Sequence, residues 1–224
     1  MKKWKKVLLT VIAALAVVVI AVGVWQRDNI GAVVKTFTSS TDQIAQEMND
    51  TKKKLEEDLK KQNITVVSDF TAEEEKQIIK GELSVEDAVA SLNTKYENSQ
   101  KNTAKTNNPQ ADKLIGEKTV ELYSLKAYYL GQLGQMETTV KSEYAALPKE
   151  KKNRVGKKDI VNRHMSTAVG LMNQCDARVE EILAELKTGL EGLNADTSVI
   201  KTIRTAYENE KNLKKAYYIS LLEE

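Results

Sequence analysis

Few residues in this 224-residue chain have both the type and the spacing to do chemistry. His164 is the one histidine and Cys175 the one cysteine, so neither an intramolecular disulfide nor a cysteine-based zinc site can form. An acid–base or metal site built on His164 needs a second group, and spacing puts it at a helix flank, one residue before Met165. It reads as a structural or solvated residue. Cys175 falls on an apolar stripe and reads as a small core residue. Glu73-Glu74-Glu75, Glu180-Glu181 and Glu223-Glu224 are the carboxylate runs from which an envelope hydrolase would draw a general acid. Glycan cleavage needs such a carboxyl in a pocket with a raised pKa, and by spacing all three runs lie on polar faces. Gly116-Glu117-Lys118-Thr119 imitates the end of a phosphate loop but lacks the earlier glycine and the preceding strand. The expectation is a non-enzyme with no catalytic, cofactor-binding or metal-ligating residues and no cofactor.

Two stretches suit recognition better than reaction. Lys126-Ala127-Tyr128-Tyr129 recurs as Lys215-Ala216-Tyr217-Tyr218. Neighbours on a helix lie about 100° apart, so one tyrosine of each pair enters the core while the other stays at its edge. Tyr128 and Tyr218 are therefore candidate partner-facing residues, with plain core packing as the alternative. The second stretch holds Lys149, Lys151, Lys152, Arg154, Lys157 and Lys158. It is either a solvated loop or a surface for anionic lipid or wall polymer.

The elements that must position these residues are helices. With two prolines, ten glycines and 29% charged residues, the composition predicts an all-α fold. Val161, Met165, Ala168, Met172, Cys175, Val179, Ile182, Leu186, Leu190 and Leu193 advance by fours and threes, a heptad seam that needs long helical partners. A second stripe runs through Leu114, Ile115, Leu122, Leu125, Tyr129, Met136, Val140 and Leu147 and ends at Pro148. Gly131 and Gly134 interrupt it, which predicts a neighbour in close approach. Ile200, Ile203, Tyr207, Leu213, Tyr217 and Leu221 form a third. Short loops between the three predict an antiparallel bundle of three helices, or of four if an earlier segment joins, elongated and with coiled-coil-like packing.

The segment before it reads as accessories. Ile44, Met48, Leu55 and Leu59 make a narrow face on a helix laced with Lys52-Lys53-Lys54 and Glu56-Glu57-Asp58, which predicts a stalk. Ile64-Thr65-Val66-Val67 reads as a linker packed on the domain. Thr71 with Glu74 and Ser84 with Asp87 are capping boxes that start a small helical hairpin, with a stop at Gly81. The expected domains are 1–30, a cytoplasmic cap and transmembrane signal-anchor, 31–108, stalk and hairpin, and 109–224, the bundle.

The anchor expectation rests on Val7 to Trp25, nineteen residues without a charge, behind a cap of four lysines. As a helix that run reaches about 28 Å, near the hydrocarbon thickness of a bilayer. The lysines place the N-terminus in the cytoplasm and the body outside. Ala21-Val22-Gly23 leaves a cleaved signal peptide, and hence secretion, as the alternative. The formal charge is +2, so without the four lysines of the cap the body is at −2, which argues against nucleic acid as a partner. Few cysteines and the lysine-rich start point to a bacterial envelope. The expected function is a membrane-tethered interaction or scaffold protein with an unknown protein or envelope partner and room for self-association. A sensor ectodomain signalling through a membrane partner is the second class, and a pore-forming helical protein is disfavoured because no second long apolar run follows Trp25.

Overall fold

The computed structural model describes residues 39–62, 64, 67–101 and 108–223, and the side chains of all of these except 101, 154, 157, 158, 161, 165 and 218–223. The expected anchor, the region up to residue 38 and the linker at 102–107 lie outside the described residues. Among the described residues every regular element is helical: α1 (Thr41–Lys61), α2 (Ala72–Lys80), α3 (Val85–Lys101), α4 (Pro109–Ala146), a 3₁₀ turn (Lys149–Lys151), α5 (Arg154–Gly192) and α6 (Ser198–Glu223). None of these helices is long and apolar enough to cross a membrane.

Local chemistry sets the helix ends. Thr71 and Glu74 close a reciprocal capping box on α2, and Gly81 ends that helix at φ 70°, where a side chain would be strained. Ser84 Oγ accepts from the Asp87 amide at 3.0 Å ahead of α3. Pro109, where the bundle was expected to begin, is the first residue of α4, where its missing N–H costs nothing. Asn108 Oδ1 caps it by accepting from Ala111 N at 3.1 Å. After α5, Asn194 takes a left-handed φ of 50° while Ala195 N donates to Leu190 O at 2.9 Å, which turns the chain back.

The helices sort into two compact units, each drawing on segments of α1, α4, α5 and α6. In the unit made of 49–134 and 174–208, four helices share one core. Leu59 of α1 meets Ala111 and Ile115 of α4, Val179, Leu183, Leu186 and Leu190 of α5, and Val199, Ile200 and Ile203 of α6. Fully burying one such leucine or isoleucine is worth about 1.5 to 3 kcal/mol, so this cluster is a main stabilising element of the unit. Neighbouring helices run antiparallel: Lys118 of α4 meets Glu185 of α5 while Glu121, further along α4, meets Arg178, earlier on α5. A second cluster on another side of α4 joins Val67, Phe70, Ile78, Ala88 and Leu92 to Val120, Ala127 and Leu130, so the α2–α3 hairpin belongs to this unit.

α4 is thus packed on two sides, which a single stripe does not describe. Its glycines mark the contact, because a Cβ on Gly131 would lie 2.8 Å from Val85 Cγ2. In the other unit, whose described residues are 39–48, 135–173 and 209–223, Ile44 packs with Leu213 and Ala216, flanked by Met48 and Tyr217. Met136, Val140 and Ile160 are buried as well.

α1 differs from the expected stalk. Both Ile44 and Leu59 are fully buried, and Lys52, expected in solvent, turns inward to Glu75. A narrow apolar face suffices because each end of the helix has a separate core to enter. In the unit made of 49–134 and 174–208, α1 supplies one of the four helices that share the core.

Candidate functional site

The basic stretch forms a built turn between α4 and α5. After Pro148 the chain winds through the 3₁₀ turn, with Lys151 N donating to Pro148 O at 3.0 Å. Asn153 then fixes the entry to α5. Its Oδ1 accepts from Val155 N at 3.0 Å and Gly156 N at 3.1 Å, while its Nδ2 donates to Glu150 O at 2.8 Å. Gly156 is required there, because a Cβ would lie 2.0 Å from the Lys151 carbonyl oxygen. The sequence signal for this is an asparagine with glycine three positions on, Asn153 and Gly156. Lys149, Lys151 and Lys152 are exposed, and Lys152 Nζ donates to Ala145 O at 2.7 Å, anchoring the turn to the end of α4. Arg154, Lys157 and Lys158 belong to the first turns of α5, and their side chains lie outside the described residues. Val155 between them is 68% exposed.

The paired tyrosines divide as the helical angle requires in the first copy. Tyr128 is 48% exposed, while Tyr129 lies partly buried against it, edge to face with centroids 5.2 Å apart. Burial raises the Tyr129 phenol above its ordinary pKa. In the second copy Ala216 is buried and Tyr217 packs beside it, whereas the Tyr218 side chain lies outside the described residues. Tyr128 belongs to one unit and the basic turn to the other.

Three polar constellations were not visible in the sequence, because each is assembled from distant helices. In the first, Lys126 Nζ lies 2.6 Å from Asp69 Oδ2 and 2.7 Å from Glu75 Oε1, and Lys52 Nζ lies 2.5 Å from the same Glu75 oxygen. Lys52 also donates to Phe70 O at 2.8 Å. All four side chains are largely buried. The two ammonium groups share these carboxylates, so the cluster clamps the 67–75 segment onto α1 and α4.

The second constellation joins Tyr207 to Asp176 and Cys175. The phenol donates to Asp176 Oδ1 at 2.5 Å and stands 3.7 Å from the thiol sulfur. Burial, then the hydrogen bond to Asp176, pushes the Tyr207 pKa far above its ordinary value. A phenol held neutral in this way orders the α5–α6 contact and is a poor proton donor for catalysis. Cys175 is partly buried, not fully enclosed as its seam position implied.

The third involves His164, which is not simply a surface residue. Its Nε2 lies 2.8 Å from Glu143 Oε1, and Arg163 Nη2 donates to Glu143 Oε2, also at 2.8 Å. Hydrogen bonds from Arg163 and then His164 hold the Glu143 carboxyl below its ordinary pKa. The group ties α4 to α5.

No protein-family model, no curated protein and no solved structure matches this chain.

Proposed function

We propose that the chain is a membrane-tethered interaction or scaffold protein, which carries its helical body outside the cytoplasm of a bacterial cell and catalyses no reaction. The observation that carries this reading is the charge-free run Val7 to Trp25 between the lysines of MKKWKK and the Arg27-Asp28 pair. Such a run suits a single span with its N-terminus inside, and the alternative in the same terms is cleavage near Ala21-Val22-Gly23 and release. The seam that continues through Val179, Ile182, Leu186 and Leu190 supports a coiled-coil-like packing of the body, which gives a stable scaffold. Tyr128, a half-exposed tyrosine braced by Tyr129, is the residue best suited to contact a protein partner.

A photo-crosslinking amino acid placed at Tyr128 in the full chain tests this reading, followed by purification from gently solubilised membranes. The reading expects a discrete adduct, from a partner or a second copy, that is lost when the same group is placed at buried Ala127. Recovery of no adduct, together with turnover of a wall substrate by the purified protein, would overturn it.

A further inference from the structure

We propose that the turn joining α4 to α5 is a membrane-contacting tip, in which exposed lysines bind the anionic headgroups of phospholipids and Val155 enters the headgroup–acyl boundary. The proposal rests on the tethered reading above, since a body held beside a bilayer meets that surface at high effective concentration.

Three observations carry it. The first is charge: the sequence 149–159 holds six basic residues, Lys149, Lys151, Lys152, Arg154, Lys157 and Lys158, against two acidic ones, Glu150 and Asp159, while the chain after its first six residues has more acidic than basic groups. Positive charge is therefore concentrated at one turn of an otherwise slightly negative body, which is the pattern of a polybasic lipid contact. The nearby Glu143 carboxylate does not cancel it, because Arg163 and His164 already occupy both oxygens.

The second observation is Val155. At 68% exposure it is one of two exposed large apolar side chains among the described residues, and it stands three positions after Lys152. A soluble polyanion such as a wall polymer would gain nothing from a valine in its midst. An apolar side chain flanked by lysines matches an interface that is anionic at its surface and apolar just beneath. The third is preorganisation. The Asn153 cap, the Lys152 bond to Ala145 O and the close seating of Gly156 on the Lys151 carbonyl hold the turn in one shape, so little ordering is required when it binds.

The test uses the full chain with Cys175→Ser and Val155→Cys, spin-labelled at 155 and mixed with vesicles of phosphatidylcholine alone or with added phosphatidylglycerol. The label is expected to become accessible to lipid-soluble oxygen and shielded from an aqueous nickel chelate only with phosphatidylglycerol. That shift should be lost in high salt and in a Lys149→Ser/Lys151→Ser/Lys152→Ser variant with unchanged helix content. A label that stays in water with both vesicle types would overturn the proposal. So would a label that ignores phosphatidylglycerol but is immobilised by poly(glycerol phosphate), which would assign the turn to a polymer. Flotation of the chain with phosphatidylcholine vesicles reports on the Val7–Trp25 tether separately, so failure of the tip and failure of the tether give different results.

Discussion

Gly134 of α4 lies so close to Ile79 of α2 that a Cβ built on it would stand 1.9 Å from the Ile79 carbonyl oxygen. That oxygen is backbone and cannot swing aside, so Gly134→Ala must separate the two helices. We predict a loss of about 1 to 3 kcal/mol or more, the ordinary cost of overpacking a core. Gly170 has nothing within 4 Å of its Cβ position, and Gly170→Ala should instead stabilise α5 by up to about 1 kcal/mol through helix propensity. Thermal melts followed by helix signal should move in opposite directions for the two variants.

The seam of α5 offers a second contrast. Leu186 is fully buried among α1, α4 and α6 side chains, so Leu186→Ala should cost about 2 to 5 kcal/mol. Glu180, six residues earlier, is exposed and bonded to Arg204 by two oxygens at 2.9 and 2.7 Å. An exposed pair of this kind is worth at most about 1 kcal/mol, so Glu180→Ala should shift the melt little. Equal melting temperatures would mean that the α5 stripe is not a core.

These two cases show which parts of the fold were legible in the sequence. The helices, their caps at Thr71 and Ser84 and the buried α5 stripe follow from spacing alone, because helical periodicity is a local property. The close approach at Gly131 and Gly134 was legible as well, since a glycine inside a strong helix needs a reason. The burial of Lys52 and α1 was not. Its partners Asp69 and Glu75, which it shares with Lys126, come from other elements, and no local pattern separates a lysine that enters a buried ion cluster from one that stays in water. The pairing of His164 was not legible for the same reason, because Glu143 lies 21 residues away. Of the candidate surface residues, Tyr128 and the lysines at 149, 151 and 152 are exposed as expected.

Tyr207 should report its surroundings in an alkaline titration. Its folded pKa is raised above the ordinary 10.0, so the neutral phenol contributes stability that is fully present below pH 10 and is lost as pH rises beyond it. Absorbance of ionised tyrosine should show a late fraction that appears only with unfolding, to which Tyr96 and Tyr129, also raised, contribute. Tyr207→Phe should reduce that late fraction and, by removing a hydrogen bond to a carboxylate, cost about 1.5 to 3 kcal/mol. An unchanged late fraction would contradict the Tyr207–Asp176 contact.

The Glu143 group predicts behaviour in acid. Its folded pKa is lowered from the ordinary 4.5, so its contribution is present above that value and is lost as pH falls through the lower folded one. Because the side chain is about one-third exposed, the effect should stay below about 1 kcal/mol. Stability curves of the wild type and Glu143→Gln should differ at neutral pH and converge as pH falls below the lowered folded pKa. A constant gap across that range would remove Glu143 from the acid response.

The central claim is that Val7 to Trp25 tethers the helical body outside the cytoplasm, and paired C-terminal reporters in a bacterial host test it most directly. Alkaline phosphatase fused after Glu224 should be active and membrane-bound, whereas a fluorescent protein that matures only in the cytoplasm should stay dark at the same position. A bright cytoplasmic reporter with inactive phosphatase would contradict the account.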